Sequence, residues 1–410
     1  MSPSASVPRG HLEMGGEGGA GSGLVLRLEE HLAEAEPSSD IFVVEGTSGD
    51  DGGVPELIGL MGIHGLPFYR SDRSGGCFGP GGLISSDDVV IIKVNSQWDE
   101  RGGTNTDLVK ALIGSILDHP EGFVGEVVIA DNGQAQFGAK GYGGSFSWER
   151  NNARDPSQSI ERVVASYSSS HRVSAYLWDN ITMRRVREYS EGDLEDGFVV
   201  GDVENPRTGV RVSYPKFRTR YGTHISFKLG VWDRERRRYD GERLKVINVP
   251  VLKSHRIFGV TASVKHYMGV ASDKLTAQLG IRTHNTVGSG GMGTLLAETR
   301  FPTLNILDAI WVNGNPLAGP RTPYDAATRV NVIAASRDPA ALDYWAAKHI
   351  LMPVARYKGY SDTSSMDPDS RASGSFGDWL RRSMEELNRA GIQATIDESH
   401  MNVYVSILGK

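Results

Sequence analysis

The chain of 410 residues is 39% hydrophobic and 23% charged, too apolar for a disordered polypeptide, and no run of about 20 apolar residues is present to span a bilayer. A single cysteine, Cys77, excludes a disulfide framework, a multi-cysteine zinc site and an iron–sulfur cluster held by the chain's own thiolates. The net charge of −6 hides an imbalance: residues 1–60 hold eleven acids against Arg9 and Arg27, whereas residues 207–256 hold fourteen Lys and Arg against four acids. The basic stretch reads either as a solvated ribbon or as a funnel for an anionic substrate or cofactor. The acidic total and the lack of a recognition helix or aromatic repeat argue against nucleic acid as a partner, and no membrane partner is expected.

Residues 1–23, rich in Ser and Gly and without an apolar core, read as a flexible leader rather than an intact secretory signal, so a cytoplasmic location is expected. Residues 24–35 (LVLRLEEHLAEA) have helical spacing and are expected as a short helix. Residues 41–45 (IFVVE) read as a strand, 54–63 (VPELIGLMGI) as a helix, and 65–87 as a loop. The clearest buried strand follows at 88–94 (DVVIIKV), continuous and β-branched as in a parallel sheet covered on both faces. A polar loop at 95–106 leads to an amphipathic helix at 107–117, capped at Thr106 or Asp107, and then to a strand at 124–130. This β-α-β run puts the loops 95–106 and 131–142 beyond the carboxyl ends of strands, where such sheets bind ligands. Residues 159–168 read as a helix, and 170–245 alternate polar and apolar residues like antiparallel strands. Strands at 245–251, 303–310 and 330–335, helices at 340–350 and 376–390, and a strand at 401–407 complete the chain. The expected fold is α/β, with mostly parallel sheets and flanking helices in two lobes, and an antiparallel insertion around 170–245. The expected divisions are a leader and short helix at 1–36, an N-terminal α/β domain at 37–250 and a C-terminal α/β domain at 251–410.

The densest polar stretch is KSHRIFGVTASVK, residues 253–265, directly after a buried strand. Lys253, His255 and Lys265 are candidate catalytic residues: two nearby ammonium groups lower each other's pKa, which suits a lysine base or nucleophile, and a histidine can be a base or a metal ligand. The plain alternative is three exposed cations on a loop. His284 follows in a polar loop and, with His255, is a candidate metal ligand. Residues 288–293 (GSGGMG) match G-x-G-x-x-G, with Asp308 twenty residues beyond Gly288, but the strand that must precede a dinucleotide fingerprint is missing. Gly290 and Gly293 are kept as candidates for cradling an anionic cofactor at a helix N-terminus, with a flexible turn as the simpler reading. Lys93, inside an apolar strand, needs a partner, with Asp99 or Asp131 the nearest choices, or a purpose at a site together with Asn95. Asp99 is the candidate acid in the following loop.

Taken in order, IIKVN (91–95), TNTDLVKALI (104–113), VINVPVLKSH (246–255), TASVKHYMGV (261–270), ILDAI (306–310) and SRDPAALDYWAAK (336–348) resemble the family called domain of unknown function 362. The sequence departs from that family at His266, where Asn is usual, and lacks the cysteine-rich ferredoxin segment that many members carry. The segment from His255 is also distantly similar to the nickel-pincer lactate racemase family: Lys265 follows ten residues later, then GVAS at 269–272, then His284. That similarity implies an interdomain cleft, with Lys265 tethering a nickel-pincer-type nucleotide or stabilising an oxyanion, His284 as metal ligand and His255 as acid/base. The resulting expectation is a racemase- or epimerase-like, metal-dependent enzyme for a small carboxylate-type anion. A non-catalytic small-anion binding protein and an oxidoreductase-associated protein are the alternatives.

Overall fold

The computed structural model describes residues 24, 26–134 and 144–409. The expected leader at 1–23, and the loop 131–142 from residue 135 onward, lie outside the described residues. The expected helix at 24–35 does not form. The described part of this segment is extended and lies beside the last strand, with paired amide bonds between His31 and Val403 (3.0 and 2.7 Å). Its leucines explain the outcome. Leu24 and Leu26 are buried at a spacing of two, which suits an extended segment, while Leu32, on the supposed helical stripe, is 67% exposed.

The first half of the chain contains β1 (Ser39–Glu45), α1 (Gly53–Ile63), a small pair β2 (Tyr69–Arg70) and β3 (Phe78–Gly79), β4 (Val89–Val94), α2 (Thr106–Leu117), β5 (Glu126–Asp131), α3 (Ile160–Ala165) and β6 (Val173–Leu177). The cap of α2 is Asn105, one residue earlier than expected: its Oδ1 accepts the amides of Asp107 and Leu108. An antiparallel five-stranded sheet follows, in the order β11-β10-β9-β8-β7, from β7 (Gly197–Val200), β8 (Ser213–Arg218), β9 (His224–Ser226), β10 (Gly230–Asp233) and β11 (Arg238–Asp240). The remainder comprises β12 (Leu244–Val249), β13 (Val251–His255), β14 (Gly259–Thr261), α4 (Ser263–His266), α5 (Asp273–Gln278), α6 (Gly291–Glu298), β15 (Leu304–Asn313), β16 (Thr328–Ser336), α7 (Pro339–Ala346), α8 (Met352–Tyr357), α9 (Phe376–Arg389) and β17 (Met401–Ile407).

Ten strands form one mostly parallel sheet in the order β17-β1-β16-β15-β12-β4-β5-β6, with β13 and β14 branching beside β15. Only β16, and the hairpin strand β14, run antiparallel to their neighbours. Strands from both sides of residue 250 interleave here, so the two halves expected to divide there share one sheet. The antiparallel insertion is shorter than expected. Residues 173–177 leave it to pair in parallel with β5 as the outermost strand, whose last three residues are only half-buried.

Helices and loops cover both faces. Val90, Ile92 and Val94 pack on one side with α1, α2 and α3, and Val89 and Ile91 on the other with α4, α6, α7 and α9. Alternation then sends Lys93 to the second side, at the carboxyl end of its strand. That position, dictated by strand periodicity, is where the site begins.

Candidate functional site

Beyond the carboxyl ends of β4 and β5, and over β13 and α4, lies a cavity of about 550 Å³, the size of a small-molecule site. Lys93, Asn95, Lys253, His255, Lys265 and His284 all line it, so six of the residues singled out from the sequence converge. Asn95 has a structural task as well: its Oδ1 accepts the Val251 amide at 2.9 Å and ties the end of β4 to β13.

Lys93 is fully buried and paired with Asp131, its Nζ 2.9 Å from Oδ1. The other carboxylate oxygen accepts the Ser96 amide and hydroxyl at 2.8 and 2.9 Å. Burial pushes the Lys93 ammonium below its ordinary range, and Asp131 opposes the shift. Gly269 lets the chain pass over this pair. A Cβ there would lie 2.4 Å from Asp131 Oδ1 and 2.7 Å from Lys93 Nζ.

Lys253 and Lys265 differ from Lys93. Among the described residues, neither has a carboxylate within ion-pairing distance. Lys253 donates to the Gly102 carbonyl and sits opposite Thr261 in the β13–β14 hairpin. Burial, followed by repulsion from Lys265, brings its pKa down to about 7. The Lys265 ammonium lies 5.1 Å from the centre of the Phe258 ring, and burial brings its pKa down to about 8 against the pull of Asp273. Lys265 is aimed by α4, whose first amides, from Ser263 and Val264, bind the two carboxylate oxygens of Asp343 on α7 at 2.7 and 2.8 Å. Burial raises Asp343 to about 7, and these two amides oppose that shift.

The Nδ1 of His255 accepts the amides of Ile257 and Phe258, both at 3.2 Å. The neutral ring must therefore carry its proton on Nε2. Burial, then Lys265, Lys253 and His284, push its pKa down to about 2, so the ring stays neutral. His284 lies with Nδ1 3.2 Å from Asp273 Oδ2. Burial alone would raise Asp273, but His284 and Arg282 outweigh it and hold the carboxyl below its usual range. Thr261, also in the cavity wall, has a hydroxyl with no hydrogen-bond partner among the described residues.

Other expected members stand elsewhere. Asp99 is buried outside the cavity wall, 3.8 Å from Arg321. Gly290 and Gly293 serve helix packing. A Cβ on Gly293 would come within 2.1 Å of the Ser383 carbonyl oxygen, and one on Gly290 within 2.8 Å of the Arg382 backbone. Their missing side chains let α6 rest directly on α9, which accounts for the glycines without a phosphate. Asp308 is also structural, fully buried and accepting the Asn105 amide beneath the start of α2. Among the described residues, no group of three or more His, Cys, Asp or Glu is placed to hold a metal ion. The basic stretch disperses as well. Arg207 pairs with Glu386, Arg211 with Glu204 and the buried Lys216 with Asp193, and only Lys253 and Arg256 of this stretch reach the cavity.

Three contributors were not legible as site residues: His266, its partner Asn248, and Asp343. His266 carried a signal, since it stands where the family usually has Asn. Asp343 lay within the segment SRDPAALDYWAAK (336–348), but nothing in the sequence says that it holds α4. No curated protein and no solved structure gives a significant match to the chain. The resemblance read from the ordered motifs holds over the part of the chain that builds most of this site: residues 242–348, from the start of β12 to just beyond α7, match the family described as Domain of unknown function (DUF362).

Proposed function

We propose that the cavity binds a small carboxylate-type anion and moves a proton on it, a racemase- or epimerase-like activity. One observation carries this reading: two lysines are buried in a single cavity without a carboxylate partner among the described residues. A buried ammonium without a counter-charge is costly, and an anionic ligand removes the cost. One lysine in its ammonium form holds the carboxylate, helped by the Nε2–H of His255 and the Thr261 hydroxyl. The other, as the neutral amine, takes the proton from the carbon next to the carboxylate and returns it. The lowered pKa values suit this division of labour near neutral pH. In this reading His255 is a hydrogen-bond donor and not the acid/base group, because both amides on Nδ1 would have to be released before Nε2 could give up its proton.

Deuterium uptake from D2O, followed by NMR over a panel of small 2-substituted carboxylates, tests the proposal. Label is expected next to the carboxylate with the wild type and not with Lys265→Met. Tight binding without label from any acid would leave the anion site and remove the chemistry. A lysine-tethered metal cofactor of the pincer type is the second reading, favoured by one feature. Lys265 and His284 line the same cavity, and the Asp273 carboxylate stands 3.2 Å from the Nδ1 of His284, close enough to support a metal-bound imidazole at its other nitrogen once the ring turns into hydrogen-bonding alignment. Added mass on Lys265, with stoichiometric metal in gently purified protein, is the outcome that favours it.

A further inference from the structure

Two histidines line the cavity with opposite hydrogen-bonding character. His255 shows it an N–H, as described above. The Nδ1 of His266 lies 2.7 Å from Asn248 Oδ1. The orientation of that amide is fixed by its neighbours. Asn248 Nδ2 donates to Asn305 Oδ1 at 2.9 Å and to the Ser263 carbonyl at 3.2 Å, and Asn305 Nδ2 donates to the Ser336 carbonyl at 3.1 Å. Asn248 Oδ1 is therefore an acceptor, and the His266 proton belongs on Nδ1. Burial, then Lys93, hold the ring well below its ordinary pKa against the Val94 carbonyl, so it is neutral and Nε2 keeps its lone pair.

His266 is only 3% exposed, forms part of the cavity wall, and among the described residues its Nε2 has no hydrogen-bond partner. Buried acceptors in native proteins are satisfied, and leaving one empty costs free energy. Lys93 does not supply the bond: its Nζ is held by Asp131 and the Val94 carbonyl and makes no hydrogen bond to His266. Among the described residues no other donor reaches it, and a group bound in the cavity that His266 lines is the remaining source.

We infer that His266 is a specificity-determining residue whose Nε2 accepts a hydrogen bond from a hydroxyl or amino group on the anion, so that the ligand is a hydroxy or amino acid and not a plain carboxylate. The inference rests on the anion-site reading and adds the second half of the ligand: His255 and the lysines recognise acceptors, and His266 recognises a donor.

The test uses matched acids that differ only beside the carboxylate, with binding measured by calorimetry: acetate, glycolate and glycine, then succinate, malate and aspartate. The wild type is expected to bind the hydroxy or the amino member of a set about ten-fold more tightly than the plain acid. Which of the two it prefers distinguishes hydroxyl from amine. In His266→Phe that preference is expected to vanish while the plain acid still binds. Equal binding of all members to the wild type overturns the inference and leaves the anion site standing. Failure of every acid to bind overturns both. Should His266→Phe not fold, nitrogen-15 spectra of histidine-labelled wild type decide. Opposite tautomers are expected, Nδ1–H for His266 and Nε2–H for His255, with the His266 Nε2 resonance moving when the preferred acid is added. A proton found on Nε2 of His266 overturns the inference.

Discussion

A lysine ammonium leaves water reluctantly, and Lys253 and Lys265 do so side by side. Their lowered pKa values, about 7 and about 8 against an ordinary 10.5, have two opposite consequences for pH. In the unfolded chain both lysines stay protonated up to the ordinary value. From about pH 7 to about 10 the folded protein therefore holds fewer protons than the unfolded one, and this pair makes stability rise with pH. Anion affinity runs the other way, because the ammonium forms disappear over the lower part of the same range. Denaturant midpoints at pH 7, 8.5 and 10 should show a smaller rise in a Lys253→Met/Lys265→Met variant than in the wild type. Titrations at pH 8 in buffers of different ionisation enthalpy should show proton uptake when an anion binds. A pH-independent affinity between 6.5 and 9 would contradict both the lysine pair and its role. At this scale the sequence was informative about Lys93, Lys253 and Lys265, because a charge beside a β-branched run is conspicuous. It marked His266 only as a departure from the family's usual Asn and said nothing of its role, because its character is set by Asn248 on another element and by Asn305 a further strand away.

At the scale of elements, short pieces do the positioning. α4 has four residues, too few to leave a periodic signal, yet it carries both Lys265 and His266 and is anchored at its first turn by Asp343. The apolar strands β4 and β12 were evident, since a run such as VVII, or VINV with its single polar break at Asn248, has few other ways to be buried. Glycines were the least informative feature, because the same small side chain suits a phosphate, a turn or a close helix crossing. The crossing of α6 over α9 gives a direct check. Gly293→Ala forces a methyl group onto the Ser383 backbone, so a loss of about 1–3 kcal/mol is expected in chemical denaturation. Anion affinity of the folded protein should be unchanged. A variant with normal stability and impaired binding would return Gly293 to the ligand. The segment near residue 24 misled for a related reason: its apolar residues fit both a helical stripe and an alternating strand, and only the uncovered edge of β17 decides between them.

Across the whole molecule, the cavity draws its walls from residues as far apart as Lys93 and Pro320. Segments from both sides of residue 250 meet there because their strands share one sheet, which no local pattern could announce. Filling the cavity should therefore stabilise the molecule as a unit. At an anion concentration one hundred times its Kd, the unfolding free energy should rise by about 2.7 kcal/mol. Hydrogen exchange should slow together in β4, β5 and β13. Protection confined to residues after 250 would mean that the two halves respond independently.

The position of β1 also bears on how the protein is made. β1 is translated early, yet both its neighbours, β16 and β17, come from the last quarter of the chain. At about 5–20 residues per second, a ribosome needs roughly 15–60 s after β1 before β16 has even been synthesised. Throughout that interval Ile41, Phe42, Val43 and Val44, all fully buried in the finished molecule, have no sheet to join. The nascent protein thus carries a sticky, unpaired strand for most of its synthesis, and closing the sheet around it is a late event that shielding by a chaperone would favour.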